Sequence, residues 1–166
     1  MILPKSSRCT FELLENIDRH KQLLEDLDTN PKNREFFPDG ALSKEDIPKL
    51  IERFTNSYKN YKTPVFMIFN ESKEFIGRAG FSYCKEIEEI EVGYVLDYKS
   101  WGKGYATEIL EALLSWAHVN LSNKKIYAFT GVDHLASIKV MQKVGMKFVE
   151  NKNLKGIECV LYEYEN

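Results

Sequence analysis

The sequence predicts an α/β (α+β) fold: a mixed, mostly antiparallel central sheet of about seven strands with helices on both faces. Three observations carry this. Runs with strand period and runs with helical period follow one another in the order β-α-α-β-β-β-α-β-α-β-β. Two of the strand runs, PVFMIF at 64–69 and EFIGRAGFSY at 74–83, are separated only by NESK, which is hairpin spacing. A single clear crossover helix lies between Leu96 and Ile126, so the sheet is mixed and not purely antiparallel.

Each element has a local cause. RCTFELL at 8–14 alternates weakly and reads as a short strand, with Asn16 or Asp18 able to cap the helix that follows. Leu23, Leu24 and Leu27 mark one face of that helix, and Asn30-Pro31 ends it. After the FFPDG turn at 36–40, Ser43 with Asp46 forms a capping box for a helix through Ile47, Leu50, Ile51 and Phe54. Pro48 falls early in it, where a missing N–H costs little. After the hairpin, residues 87–96 form a strand with Glu91, Gly93 and Val95 on one face and Ile90, Val92, Tyr94 and Leu96 on the other. The period turns helical at Gly104, where Ala106, Ile109, Leu110, Leu113, Leu114 and Ala117 make a broad apolar stripe. KIYAFTG at 125–131 is a strand with a glycine stop. Residues 136–144 are a short helix closed by Gly145, and 146–150 and 157–164 are two further strands.

At 166 residues the chain is expected to form a single domain over 1–166. A net charge of -2 supplies no bulk field for nucleic acid or an anionic membrane. Cys9, Cys84 and Cys159 are odd in number and widely spaced, which points to a reducing compartment, and no apolar stretch is long enough for a signal peptide or a membrane span. A cytoplasmic location is expected. Cys84 and Cys159 read as buried strand residues, and His20 and His118 as surface or helix-end residues. The three histidines are too scattered for a zinc site, and no metal is expected.

One stretch asks for a chemical explanation. YKSWGKGYATE at 98–108 places two glycines one residue apart at a helix start, where backbone N–H groups lie uncovered by side chains. Neither a P-loop nor a dinucleotide fingerprint fits: Gly104 is followed by Tyr105 where a P-loop needs lysine, and the third glycine of the fingerprint is absent. Two readings stand. In one, the amides around Trp101 to Ala106 hold a pyrophosphate, with Lys103 adding positive charge. In the other, this is only a helix start after a glycine turn.

GYVLDYKSWGKGYATEIL at 93–110 resembles the acyl-CoA-binding segment of the GNAT superfamily of N-acetyltransferases, most of all the branch of ribosomal-protein N-terminal acetyltransferases. The pattern Q/R-x-x-G-x-G/A falls on Trp101-Gly102-Lys103-Gly104-Tyr105-Ala106, with Trp101 in the first place. HLASIKVMQKVGMKF at 134–148 resembles a second segment, in which Ser137, Lys143 and Gly145 keep the pattern while His134 replaces its Asn and Met146 its Phe. The resemblance implies a parallel strand pair splayed into an acyl-CoA slot. Backbone groups near Leu96 and Tyr98 would pair with the pantetheine arm, the amides of Trp101 to Ala106 would hold the pyrophosphate, and His134 and Ser137 would lie near the thioester or the adenine side. It further implies acetyl-CoA as the acyl donor, and an amine-bearing small molecule or a protein N-terminus as acceptor, in a monomer or homodimer. The position that carries a general-acid tyrosine in many members holds Met141.

Direct transfer from a thioester to an amine needs a base, and Glu91, on the strand before the turn and on the face of Gly93, is the candidate. The plainer alternative is a strand glutamate paired with a lysine. Two functions therefore stay open: an acetyl-CoA-dependent N-acetyltransferase, or an acyl-CoA-binding regulatory module.

Overall fold

The computed structural model describes residues 1–166. Its seven strands form one sheet in the order β1-β2-β3-β4-β5-β7-β6. Strands β1 (Thr10–Leu13), β2 (Val65–Phe69), β3 (Phe75–Cys84) and β4 (Glu89–Leu96) are antiparallel neighbours. So are β5 (Lys125–Gly131), β7 (Ile157–Glu165) and β6 (Lys147–Leu154). Only β4 and β5 run parallel, joined by the crossover helix α3 (Tyr105–Asn120). Helices α1 (Asp18–Asp28), α2 (Ile47–Tyr61) and α4 (Leu135–Lys143) complete the element order read from the sequence.

The period-two alternation of the strands sorts the core into two layers. Ile90, Val92 and Leu96 of β4 join Phe66, Phe81 and the apolar stripe of α3 in one cluster. Val95, with Val65 and Met67, joins Leu24, Leu27, Leu50, Ile51 and Phe54 of α1 and α2 in the other. Helices therefore cover both faces, and Glu91 and Gly93 share the α1–α2 face with Val95.

Local causes account for the boundaries. The capping box of Ser43 and Asp46 is present and opens a 3-10 turn that runs into α2. Gly145 sits at φ 86 just past α4. At the start of α1 the expectation fails. Ile17 occupies the N-cap without a side-chain bond, and Asp18 lies inside the first turn, where its charge faces the positive helix end. His20 does lie at a helix end, in the first turn of α1, but it is fully buried and not on the surface. The Glu15 N–H reaches its Nδ1 at 3.1 Å, which leaves Nε2 to donate to Glu12 at 2.8 Å. No periodicity announces such a contact, because Glu12 and His20 sit on different elements.

The α1–α2 face also buries charge. The Asp28 carboxylate accepts from Arg78 Nη2 at 2.7 Å, Arg78 Nε at 3.0 Å and Arg34 Nη1 at 2.9 Å, tying the end of α1 to β3 and to the segment after α1. Burial raises the Asp28 pKa, but Arg78 and Arg34 together outweigh it and hold the carboxylate below its ordinary 3.8.

Candidate active site

Strands β4 and β5 share one register position, Glu91 with Tyr127, and then part. The hydrogen-bond phase shows what faces the gap. The Asp97 N–H donates to the Ile76 carbonyl at 2.8 Å, so by alternation Glu91, Gly93 and Val95 bond to β3 while Tyr94 and Leu96 turn their backbone groups toward β5. Across the gap the Val132 N–H donates to the Glu158 carbonyl at 3.1 Å, which directs the backbone of Phe129 and Gly131 toward β4. The Leu96 carbonyl is filled by the Trp101 indole Nε1–H at 2.9 Å, and the Gly131 carbonyl by the His134 N–H at 3.0 Å. The Tyr94 amide and carbonyl and the Leu96 amide remain directed into the gap.

Beyond β4 the chain turns on its two glycines, both at positive φ: Gly102 at 72 and Gly104 at 81. An L side chain is strained there, which explains why both positions are glycine. The Trp101 N–H bonds to the Tyr98 carbonyl at 3.1 Å, and the first helical bond runs from the Glu108 N–H to the Gly104 carbonyl at 3.2 Å. Between them, the N–H groups of Gly102, Lys103, Gly104, Tyr105, Ala106 and Thr107 meet no protein acceptor. Their run ends at the positive end of α3.

The run of free amides is offset from the expected Trp101 to Ala106. The Trp101 amide is already engaged, so the free run starts one residue later and extends to Thr107. Tyr98 contributes no free backbone group on either side: its N–H donates to Asn33 Oδ1 at 2.8 Å and its carbonyl accepts from Trp101. Local spacing could not foresee this, since Asn33 comes from the segment after α1.

Side chains finish the neighbourhood. Arg8 was invisible to motif reading because it lies far away in sequence. Its Nη1–H donates to the Lys103 carbonyl at 3.0 Å and its Nε to Glu108 at 2.8 Å, and Ser6 Oγ also bonds to Glu108. A bare carboxylate at this helix start would repel a phosphate, and Arg8 offsets it. His134 begins α4 with its ring stacked on Phe36, centroids 3.9 Å apart, and its Nδ1 lies 3.0 Å from Thr130 Oγ1. Burial lowers its pKa and Glu35 only partly opposes this, which favours the neutral ring. Ser137 Oγ meets the Tyr94 hydroxyl at 3.2 Å. Burial raises the pKa of that phenol. Met141 is buried in the α3 core.

On the opposite face, Glu91 accepts from Ser82 Oγ at 2.8 Å and has no salt-bridge partner. Desolvation raises its pKa, against the Ser82 bond and the more distant charges of Lys155 and Arg53. Beside it Gly93 is exposed, and a Cβ built there would meet nothing within 4 Å. A carboxylate of raised basicity therefore borders an open floor. Burial pushes the nearby Cys84 thiol up to about 11, which removes it as a thiolate nucleophile at neutral pH.

The acetyltransferase (GNAT) domain family matches residues 8–147 of this chain. An uncharacterized N-acetyltransferase of Bacillus licheniformis is 30% identical over 82 residues, which cover 49% of this chain and 46% of that protein. The uncharacterized N-acetyltransferase YnaD of Bacillus subtilis is 26% identical over 113 residues, 68% of this chain and 64% of that protein. The matched chain thus spans about half to two thirds of the length of these curated relatives. Among solved structures, an acetyltransferase from Agrobacterium tumefaciens superposes with TM-score 0.85 at 20% identity, covering 100% of this chain and 95% of that one. Spermidine N-acetyltransferase from Vibrio cholerae, solved with CoA and spermine, gives 0.77 at 16%, covering 95% of each chain. A Salmonella typhimurium acetyltransferase that modifies the N-terminal serine of a ribosomal protein gives 0.80 at 18%, covering 99% and 98%. Polyamine and ribosomal-protein enzymes score alike, so no single branch stands out. With the family match over residues 8–147 and the splayed strand pair behind a glycine turn, this chain belongs to the GNAT acetyltransferase family.

Proposed function

We propose that residues 1–166 form one N-acetyltransferase domain that moves the acetyl group of acetyl-CoA directly onto a primary amine. The observation that carries this reading is the run of free amides from Gly102 to Thr107 at the mouth of the β4–β5 gap. Such a run matches the acceptor-rich pyrophosphate of a coenzyme A ester, and the amide groups of a pantetheine arm match the Tyr94 amide and carbonyl and the Leu96 amide that face the gap. Acetyl-CoA supplies an acetyl group activated as a thioester.

In this reading Glu91 takes the proton from the attacking amine, directly or through one water, as the new N–C bond forms and the C–S bond breaks. Its desolvation suits it to the task, because a raised pKa makes a carboxylate a better base. Tyr94, kept neutral by burial and held by Ser137, donates a hydrogen bond to the departing thiolate. Outright proton donation is uphill, since a free thiol titrates at about 8.5, below a phenol's ~10. The thiolate therefore takes its proton from solvent. His134 holds the rim through Phe36 and Thr130.

A second reading, a binding module without turnover, is favoured by one observation: Met141 is buried where the family pattern leads one to expect a tyrosine. Release of free thiol from acetyl-CoA over a panel of amines and N-terminal peptides tests the proposal. Turnover with any acceptor sustains it, and acetyl-CoA binding without thiol release across the panel selects the module.

A further inference from the structure

The α1–α2 face carries a surface cavity of ≈ 350 Å³ whose charged lining is Arg34, Asp39, Asp46, Lys49 and Arg53. Four of these five have partners. Arg34 is bound to Asp28 and Asp39, and Asp46 accepts from Ser43 Oγ and lies 3.7 Å from Lys49 Nζ. Arg53 alone makes no ion pair and no side-chain hydrogen bond; its guanidinium rests 5.0 Å over the Phe54 ring. It is open to solvent on one side, while protein crowds the other and Arg78 adds a like charge, both of which lower its pKa. A guanidinium keeps its charge regardless. Arg53 shares a helix face with Ser57, one turn later on α2, whose Oγ accepts from the Tyr83 N–H at 3.3 Å, next to the Ser82 that binds Glu91. A cation without a counter-ion thus lines the cavity on the same face of the sheet as the candidate base.

We infer that the acceptor carries an anionic group besides its amine, and that Arg53 reads that group while Glu91 receives the amine. The inference rests on the acetyltransferase reading and adds its substrate class. An arginine fork suits a carboxylate or a phosphate, because its parallel N–H donors match two oxygens. A polyamine is disfavoured, since it would bring a second cation against an uncompensated Arg53. The neighbouring carboxylates do not reverse this. Asp39 and Asp46 are engaged, and Asp28 is divided between Arg34 and Arg78.

Steady-state acetyl transfer with matched acceptors tests this: glycylglycine against its C-terminal amide, phosphoethanolamine against ethanolamine, and spermidine. The expected result is a kcat/KM about tenfold or more higher for the anionic member of one pair, the size of one charge-assisted hydrogen bond. The two pairs distinguish carboxylate from phosphate. Arg53→Glu is expected to lower the ratio of anionic to neutral acceptor by about 100-fold, through KM, and Arg53→Lys to keep part of the preference. A wild-type ratio near one, preference for spermidine, or a ratio that Arg53→Glu leaves unchanged overturns the inference while acetyl transfer itself stands. Absence of thiol release with every acceptor overturns the inference as well. If acetyl-CoA then also fails to raise the melting temperature, the acetyltransferase reading falls with it.

Discussion

The two faces of the sheet are built from different materials. On the α3–α4 face the candidate cofactor site consists of backbone: six amides freed by two left-handed glycines, and two strand residues whose ladder partners have moved away. On the α1–α2 face the candidate acceptor site consists of side chains that arrive separately, Glu91 from β4, Ser82 from β3 and Arg53 from α2. The cores beneath differ in the same sense. One cluster holds 24 buried residues and the other only ten, with Asp28, Arg34 and Arg78 buried beside the smaller one. Backbone recognition suits a ligand common to a whole family, because it constrains only glycines and hydrogen-bond phase. Recognition by side chains can change with each acceptor while the sheet stays the same.

The sharpest test of the contrast is to break the buried charges. Asp28→Asn leaves two buried guanidinium groups short of their counter-charge, and is expected to destabilise the protein by about 3–5 kcal/mol in urea denaturation. The Asp28 pKa is lowered in the fold, so its contribution is present above the unfolded value of 3.8 and is lost as pH falls through the folded value below it. The acid-side fall in wild-type stability should therefore be shallower in Asp28→Asn. A variant as stable as wild type would mean that the apolar cluster alone holds this face.

Glu91→Gln comes next, with kcat lower by roughly 10²- to 10⁴-fold and acetyl-CoA affinity unchanged. Because burial raises the Glu91 pKa, the fold favours its protonated carboxyl group, and that stability is present at acid pH and lost as pH rises through the folded value. Glu91→Gln should therefore melt no lower than wild type at pH 7, which separates lost chemistry from lost fold. The wild-type kcat should rise with pH through that shifted value, and the variant should lack this limb. An unchanged kcat from acid to alkaline pH would remove Glu91 from the reaction.

On the other face Gly104→Val should weaken acetyl-CoA binding by about tenfold or more. Positive φ costs a branched residue roughly 1–3 kcal/mol, and relief of that strain closes the free amides. Calorimetric titration checks this, and unaltered affinity would argue that the amide run is only a helix start. The smallest effect is expected from Tyr94→Phe, a loss of a few-fold to about tenfold in kcat from one hydrogen bond, with Kd for acetyl-CoA unmoved. A larger loss would make Tyr94 a proton donor in its own right.

Much of this was legible in the sequence, for physical reasons that differ from element to element. The order of elements, the 74–83 hairpin strand, the β5 limits and the switch of period at Gly104 depend on neighbours close in sequence, and strand and helix periods report such neighbours directly. The GNAT resemblance of 93–110 and 134–148 was legible for the same reason, since a glycine turn and a helix start are local objects. Tertiary structure alone decided the rest. Tyr98 lost its free amide to Asn33, Trp101 lost its own to the turn, and its indole took the Leu96 carbonyl. His20 became a buried hydrogen-bonding residue, Arg8 came to the α3 start, and Arg53 was left as the one unpartnered charge of its cavity. In each case the deciding partner or environment lies on another element. The pattern of one segment carries the period of its own backbone, but whether a polar group finds a partner is settled only when the other segment folds against it.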